Sequence, residues 1–360
     1  MQQGDGDASM PETSAVRAEH LYKVFTRNER ALRTRFAETP VIDAETLPGT
    51  AAVIDANFEI AHGETFVVMG LSGSGKSTLI RMLNGLNEPT GGTVEINGRR
   101  LTGAPAETVR AIRRDEISMV FQHFGLLPHR TVLDNIAYGL EVRNVPRAER
   151  TEQAAYWLER VGLSGHGTKY PHMLSGGQQQ RVGLARALTA QTPILLMDEA
   201  FSALDPIIRG DLQEMLLELQ AELGKTIVFI THDLSEAMKL GDRIAIMRQG
   251  RIDQIGTATQ ILTQPANSYV ARFTHDIDRS RVLTAGMVAR PTATRPTGDP
   301  VPRSTPIGDL FGRVLASPQP LGVVDRQQNF LGVIDADVLM AAMAGVDRPG
   351  AGAHRTEVPA

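Results

Sequence analysis

The stretch Gly70-Leu71-Ser72-Gly73-Ser74-Gly75-Lys76-Ser77-Thr78 has the residue types of a phosphate cradle. Glycines at these positions let backbone N–H groups curl around a β-phosphate, and the start of a following helix adds a favourable dipole. A lysine closing such a loop reaches β- and γ-oxygens, and the next hydroxyl is a Mg²⁺ ligand. Lys76 and Ser77 hold those places. The pattern G-x-x-x-x-G-K-[ST] carries this mechanism only between a strand and a helix. Here it follows the apolar run Thr65 to Met69 and precedes Leu79, Met82, Leu83 and Leu86, which share one helical face at i, i+3, i+4, i+7. A bare Gly-rich turn is the bland alternative, and both flanks speak against it.

Two further sites have matching chemistry. Asp198 and Glu199 end the apolar run Ile194-Leu-Leu-Met. Asp198 is placed to hold Mg²⁺, and Glu199 to orient and deprotonate an attacking water. Alone, an acidic pair after a strand often only begins a turn; beside a phosphate loop it reads as catalytic. Leu174-Ser175-Gly176-Gly177-Gln178 offers a second anion site, with Ser175 as N-cap and the two glycines leaving helix-start N–H groups open to a phosphate. The sequence thus holds two phosphate-binding helix starts and one Mg²⁺ site.

The run LSGGQQQRVGLARAL resembles the signature of ATP-binding-cassette (ABC) proteins. The resemblance covers residues 20 to 275 and implies a P-loop NTPase core of ABC type that hydrolyses ATP with Mg²⁺. It implies that Gln122 is the glutamine that touches Mg²⁺ and water and senses the γ-phosphate. Ser202-Ala-Leu-Asp205 matches the loop that brings Asp205 to nucleotide, and His232 matches the switch histidine. By itself His232 would read as a capping residue. Phe25 falls where the family sets an aromatic ring against adenine, with a core aromatic as the alternative. The implied catalytic set is Glu199, His232, Lys76 and Gln122, and the implied metal set is Ser77, Gln122 and Asp198. ATP would be bound by Phe25, residues 70–78, Ser175, Gly176, Gly177, Gln178 and Asp205. Two copies would pair head to tail, the signature of one closing on the γ-phosphate of the other.

Within the family, the polar stretch 26–50, the run Met69-Gly-Leu-Ser-Gly-Ser-Gly-Lys and Met197-Asp-Glu-Ala-Phe-Ser-Ala-Leu-Asp-Pro206 are similar to the ATPases of glycine betaine/proline (quaternary amine) importers. That similarity implies two integral-membrane permease subunits, an extracytoplasmic solute-binding protein acting indirectly, and a peripheral place on the cytoplasmic face of the inner membrane. Another polar-solute importer, and a non-transport ABC protein, are the alternatives. Such importers carry paired CBS (cystathionine-β-synthase-type) modules in the tail. Here PLGVVDRQQNFLGVIDADVL resembles the strand-strand-helix half of one module, either regulatory or decayed.

The elements that must position these residues follow from periodicity. Strand-sized apolar runs, such as Thr226 to Thr231, alternate with amphipathic helices, which predicts an α/β fold with a mainly parallel sheet. Asp205 and Pro206 supply an N-cap and first-turn proline for a helix through Leu212, Met215, Leu216, Leu219 and Leu223. A mostly helical stretch from about 106 to 190 predicts an inserted helical subdomain. The expected organisation is a disordered tail (1–19), the ATPase domain (20–275), a small α+β CBS-like module (276–345) and a disordered end (346–360). Hydrophobic residues make up 42% and charged residues 22% of the 360, the balance of a globular chain. The net charge of −4 gives no basic field for nucleic acid, and the absence of cysteine excludes disulfides and thiolate metal sites. No apolar run approaches the ~18 residues of a spanning helix.

Overall fold

The computed structural model describes residues 14–202, 204–275, 277–325 and 327–344; the expected tail 346–360 and most of the expected N-terminal tail lie outside them. The chain divides into two compact units, Met1–Asp233 with Ala245–Ile252, and Leu234–Ile244 with Asp253–Ala360. Its elements begin with β1 (Val16–Phe25), α1 (Glu29–Glu38), β2 (Thr50–Ile60), β3 (Thr65–Met69), α2 (Lys76–Leu83), β4 (Gly91–Ile96) and β5 (Arg99–Arg100). There follow α3 (Ala106–Asp115), β6 (Ile117–Val120), α4 (Val132–Val142), α5 (Arg147–Arg160), α6 (Gly176–Thr189), β7 (Ile194–Asp198), α7 (Pro206–Leu223), β8 (Thr226–Thr231) and α8 (Leu234–Leu240). The chain continues through β9 (Arg243–Arg248), β10 (Arg251–Gly256), α9 (Ala258–Thr263), α10 (Ser268–Phe273), α11 (Arg279–Val282), α12 (Ala285–Val288) and β11 (Val301–Pro302). It ends in α13 (Phe311–Ala316), β12 (Leu321–Val324), β13 (Phe330–Ile334) and α14 (Ala336–Ala344).

The main sheet has the order β10-β9-β3-β8-β7-β6. Strands β3, β8, β7 and β6 are parallel neighbours, with Met69 opposite Thr231 and Asp198 opposite Ile230. This register brings the C-terminal ends of β3, β7 and β8 level. Ligands in open α/β sheets bind at that edge. Every residue of β3, β7 and β8 is buried, which explains why these strands read as continuous apolar runs rather than alternating ones. A second, antiparallel sheet has the order β2-β1-β4-β5.

Several expectations need correction. Strand β1 starts at Val16, so residues 16–19 are sheet rather than disordered tail. Helix α2 ends at Leu83, and Leu86 lies beyond it, exposed. The helical stretch from 106 is interrupted by β6, a strand of the main sheet too short to leave a periodic signal. The polar stretch 26–50 carries an apolar cluster of its own: Leu32, Phe36, Ile42 and Leu47 form a small core with Tyr22, Val24 and Ile54. The second unit takes in residues from 253 onward, ahead of the expected boundary at 276.

That second unit holds a three-stranded sheet of order β11-β12-β13, with β11 and β12 parallel and β12 and β13 an antiparallel hairpin. Asp325 fixes the hairpin turn by accepting from the N–H groups of Gln327 and Asn329. Helix α11 packs against α8 and α14, and Arg279 donates to the carbonyls of Leu262 and Met343.

Candidate nucleotide site

The loop from β3 to α2 is built around close backbone approach. Gly75 has φ +105°, and a Cβ there would lie 2.1 Å from the Ala52 carbonyl oxygen. Only glycine is accommodated. Ser74 is 5% exposed, and among the described residues its Oγ has no hydrogen-bond partner. A buried hydroxyl without a partner inside an anion-shaped loop marks a place for a ligand oxygen. Leu71, Ser72 and Gly73 form the exposed rim, while Ser77 and Thr78 lie half-buried in the first turn of α2.

Lys76 is buried. Its Nζ donates to the carbonyls of Gly70 (2.8 Å) and Leu71 (3.1 Å) and lies 3.8 Å from Glu199 Oε1. Burial lowers its pKa, and the charges of Glu199 and Asp198 oppose that shift. Ser77 Oγ donates to Asp198 Oδ1 at 3.0 Å. Burial raises the Asp198 carboxyl above its ordinary value, with the Ser77 bond opposing. A carboxylate so disfavoured gains most from a cation at its side.

Glu199 is the hub. Its Oε2 accepts from Gln122 Nε2 at 3.3 Å and lies 3.4 Å from His232 Nδ1, while Oε1 faces Lys76. One carboxylate thus faces Lys76, Gln122 and His232 together. The structure brings these four residues together, with Ser77 bonded to Asp198 beside them.

The other ATP-binding candidates sit apart from that hub. Phe25 closes β1 and is 47% exposed. Ser175 caps α6 in a reciprocal capping box, accepting from the Gln178 N–H while its own N–H donates to Gln178 Oε1. Gly176 and Gly177 open the helix, and a Cβ on Gly177 would lie 2.9 Å from the Ile208 side chain, so the signature packs on the start of α7. Asp205 caps α7 there, its Oδ1 accepting from the N–H groups of Ile207 and Ile208. Among the described residues, no hydrogen bond or ion pair links Ser175–Gln178 or Asp205 to the phosphate loop.

Arg186 was not singled out in the sequence. From α6 it donates to the carbonyls of Gly125 (2.6 Å) and Phe124 (3.0 Å), two residues with left-handed φ in the loop after Gln122. It ties the loop after Gln122 to α6. The only sequence signal was an arginine within an otherwise apolar helical run.

A family model described as ABC transporter matches residues 53–202. The chain is 48% identical over 328 residues to the glycine betaine transport ATP-binding protein OpuAA of Bacillus subtilis, a match covering 89% of this chain and 76% of that one. It is 45% identical over 337 residues to the glycine betaine/proline betaine transport system ATP-binding protein ProV of Salmonella typhimurium, covering 91% and 82%. With the trimethylamine N-oxide transport system ATP-binding protein TmoW of Ruegeria pomeroyi the identity is 43% over 332 residues, covering 91% and 97%. Among solved structures, a dimeric ATP-binding cassette in a post-hydrolysis state with ADP and Pi aligns at TM-score 0.58 and 32% identity, over 67% of this chain and 98% of that one. The chain belongs to the ABC transporter family, as one of its ATP-hydrolysing transport ATP-binding subunits.

Proposed function

We propose that this subunit powers the import of glycine betaine or a related quaternary amine through a membrane permease. The observation that carries the chemistry is the convergence of Lys76, Gln122 and His232 on the carboxylate of Glu199. Glu199 takes a proton from water as the water oxygen bonds to the γ-phosphorus and the bond to the β-phosphate bridging oxygen breaks, giving ADP and Pi. Lys76 releases the carbonyls of Gly70 and Leu71 to meet the β- and γ-oxygens. His232, its ring about half exposed, contacts the γ-phosphate and reports its loss.

The residues around Ser77 suit Mg²⁺, since a hydroxyl, a carboxylate and an amide oxygen are hard ligands. Ser77, Asp198 and Gln122 would hold the ion, which neutralises charge on the β- and γ-phosphates. Phe25 would stack on adenine. Ser175, Gly176, Gly177, Gln178 and Asp205 would act on nucleotide held by a second, head-to-tail copy. In support, Met173 and Ile207, beside the signature and the Asp205 cap, are strongly exposed apolar residues on one chain.

A groove of about 850 Å³ supports docking of a permease subunit. Leu86, Phe121, Tyr138 and Val142 line it as exposed apolar side chains, and Leu127 of the sensor loop joins them. Among the described residues no helix is long and apolar enough to cross a membrane. A peripheral subunit at the cytoplasmic face, with an extracytoplasmic binding protein acting through the permease, follows from this reading. Residues 276–345 are read as a single CBS-like module. The substrate assignment rests on the likeness to the glycine betaine transporters. Reconstitution with a glycine betaine permease and its binding protein tests it: glycine betaine should stimulate ATPase activity in proteoliposomes. Stimulation by an unrelated polar solute and none by any quaternary amine would overturn it.

A further inference from the structure

The stretch 26–49 leaves the sheet directly after Phe25 and returns at Thr50, which pairs with Phe25 across β1 and β2. Its last turn presses on the same residue. Gly49 has φ +99°, and a Cβ there would lie 2.4 Å from the Phe25 carbonyl oxygen. Two places earlier on β1, and so on the same face, stands Lys23, only 5% exposed. Its Nζ lies 5.2 Å from the centre of the Phe25 ring. That ammonium is not free to swing away. It donates to Glu29 Oε1 at 2.9 Å and to the Glu88 carbonyl at 3.0 Å. The Lys23 bond holds the Glu29 carboxyl below its ordinary pKa, and Arg33 braces Glu29 at 3.5 Å and pairs with Glu88. The strand itself is pinned, since Val24 N–H donates to Thr90 Oγ1 and Thr90 N–H to the Tyr22 carbonyl.

Hydrolysis requires none of these groups, yet a lysine this buried is rare without a purpose or a partner. Here the partner, Glu29, is supplied by α1, the helix that the stretch 26–50 adds to the sheet. A cation near one face of a ring is attracted by the ring's quadrupole and restrains its tilt. Phe25 remains 47% exposed as a residue, which leaves surface for a base.

We infer that Lys23, held by Glu29 of α1, is a positioning residue for adenine: it fixes the Phe25 ring against which the base stacks. The inference rests on the reading of Phe25 as the stacking ring. It gives the stretch 26–50 a role in nucleotide affinity. Lys23 does not touch the reacting phosphates, so its loss should weaken binding and leave turnover at saturating ATP unchanged.

A double-mutant cycle on the full chain tests this, with Mg-mant-ATP titrations for Kd and ATP hydrolysis for KM and kcat. Lys23→Met is expected to raise Kd and KM about three- to tenfold, the range of a partly desolvated cation–π contact. Lys23→Arg should stay near wild type, because a guanidinium preserves the cation. In a Phe25→Leu background Lys23→Met should add nothing. If Lys23→Met does not fold, the Lys23→Met/Glu29→Gln pair carries the same arm, since it strands no charged carboxylate. Phe25→Leu raising Kd while Lys23→Met binds like wild type would overturn the positioning role and leave the stacking intact. Equal losses from Lys23→Met with and without the Phe25 ring would also overturn it. An unchanged Kd in Phe25→Leu would overturn the stacking reading beneath it.

Discussion

If Glu199 is the base, Glu199→Gln should separate binding from hydrolysis. The glutamine keeps the length of the side chain, so its amide oxygen can still accept from Gln122 Nε2, now 3.3 Å from the carboxylate. Backbone strain is unchanged, because φ at this residue is +45° and glutamine tolerates that region no worse than glutamate. What disappears is one negative charge and the basicity. A positioned general base contributes on the order of 10²–10⁴ in rate, so kcat should fall at least ~100-fold. Binding is affected in the opposite sense. Lys76 lies 3.8 Å from Glu199 Oε1. At an effective dielectric of about 20 this attraction is on the order of 4 kcal/mol before desolvation is subtracted. Removing it frees Lys76 to turn to the phosphates, so KM should not rise. A chain that binds ATP and cannot hydrolyse it should accumulate as the nucleotide-bound dimer. ATPase assays paired with size-exclusion chromatography in Mg-ATP read both effects. A variant that hydrolyses at near wild-type rate and stays monomeric with ATP would refute the assignment.

Gly75→Ala should destroy the cradle, since its Cβ would sit 2.1 Å from the Ala52 oxygen at φ +105°. Strain and overpacking of about 2–6 kcal/mol should lower Tm by at least about 5 °C and abolish Mg-ADP binding, read by thermal denaturation and calorimetry. Asp198→Asn removes a carboxylate that burial already disfavours. The ligand-free chain should therefore gain on the order of 2–4 °C in Tm while losing the further gain that Mg-ATP gives wild type; an intact Mg²⁺-dependent gain would contradict the metal role. Leu127→Asp should leave ATP binding intact and uncouple transport, because Asn135 holds that loop through its backbone, accepting from Leu127 N–H and donating to the Leu127 carbonyl. Normal uptake by this variant in proteoliposomes would show that the groove is not the docking surface.

The phosphate loop, Asp198, Glu199 and Ser175 were legible because each combines a residue type that suits the chemistry with a local flank that sets its geometry. Their mutual positions were not legible from local pattern. They depend on the register that sets Met69 opposite Thr231 and Asp198 opposite Ile230, a pairing between segments far apart in sequence. The strand β6 is not legible because its four residues, buried at both ends and half-buried between, show no alternation. The stretch 26–50 looked polar because its apolar residues, Leu32, Phe36, Ile42 and Leu47, are diluted among charged ones. Their partners Tyr22, Val24 and Ile54 lie on neighbouring strands. Arg186 and Lys23 were invisible for a related reason. A basic side chain reads as solvated until its carbonyl, carboxylate or ring partners are seen.

The adjacency of Asp198 and Glu199 poses a geometric problem that the backbone solves. Consecutive residues of a strand point to opposite faces, so two neighbouring carboxylates cannot serve one site while the strand continues. Strand β7 ends at Asp198, and Glu199 turns into the left-handed region at φ +45°, which breaks the alternation. Such a conformation costs a non-glycine residue on the order of 1–3 kcal/mol and persists only where its surroundings enforce it. Here Glu199 N–H donates to the Ile230 carbonyl of β8, and its own carbonyl accepts from both the N–H and the Oγ of Ser202. The result is a pair of carboxylates whose fields both act on Lys76, one bound to Ser77 and the other to Gln122. A glycine would relieve the strain and remove the carboxylate. An extended glutamate would keep the carboxylate and send it to the opposite face. The strained turn is therefore a requirement of the two-carboxylate arrangement, and Ser202 and Ile230 of β8 hold it.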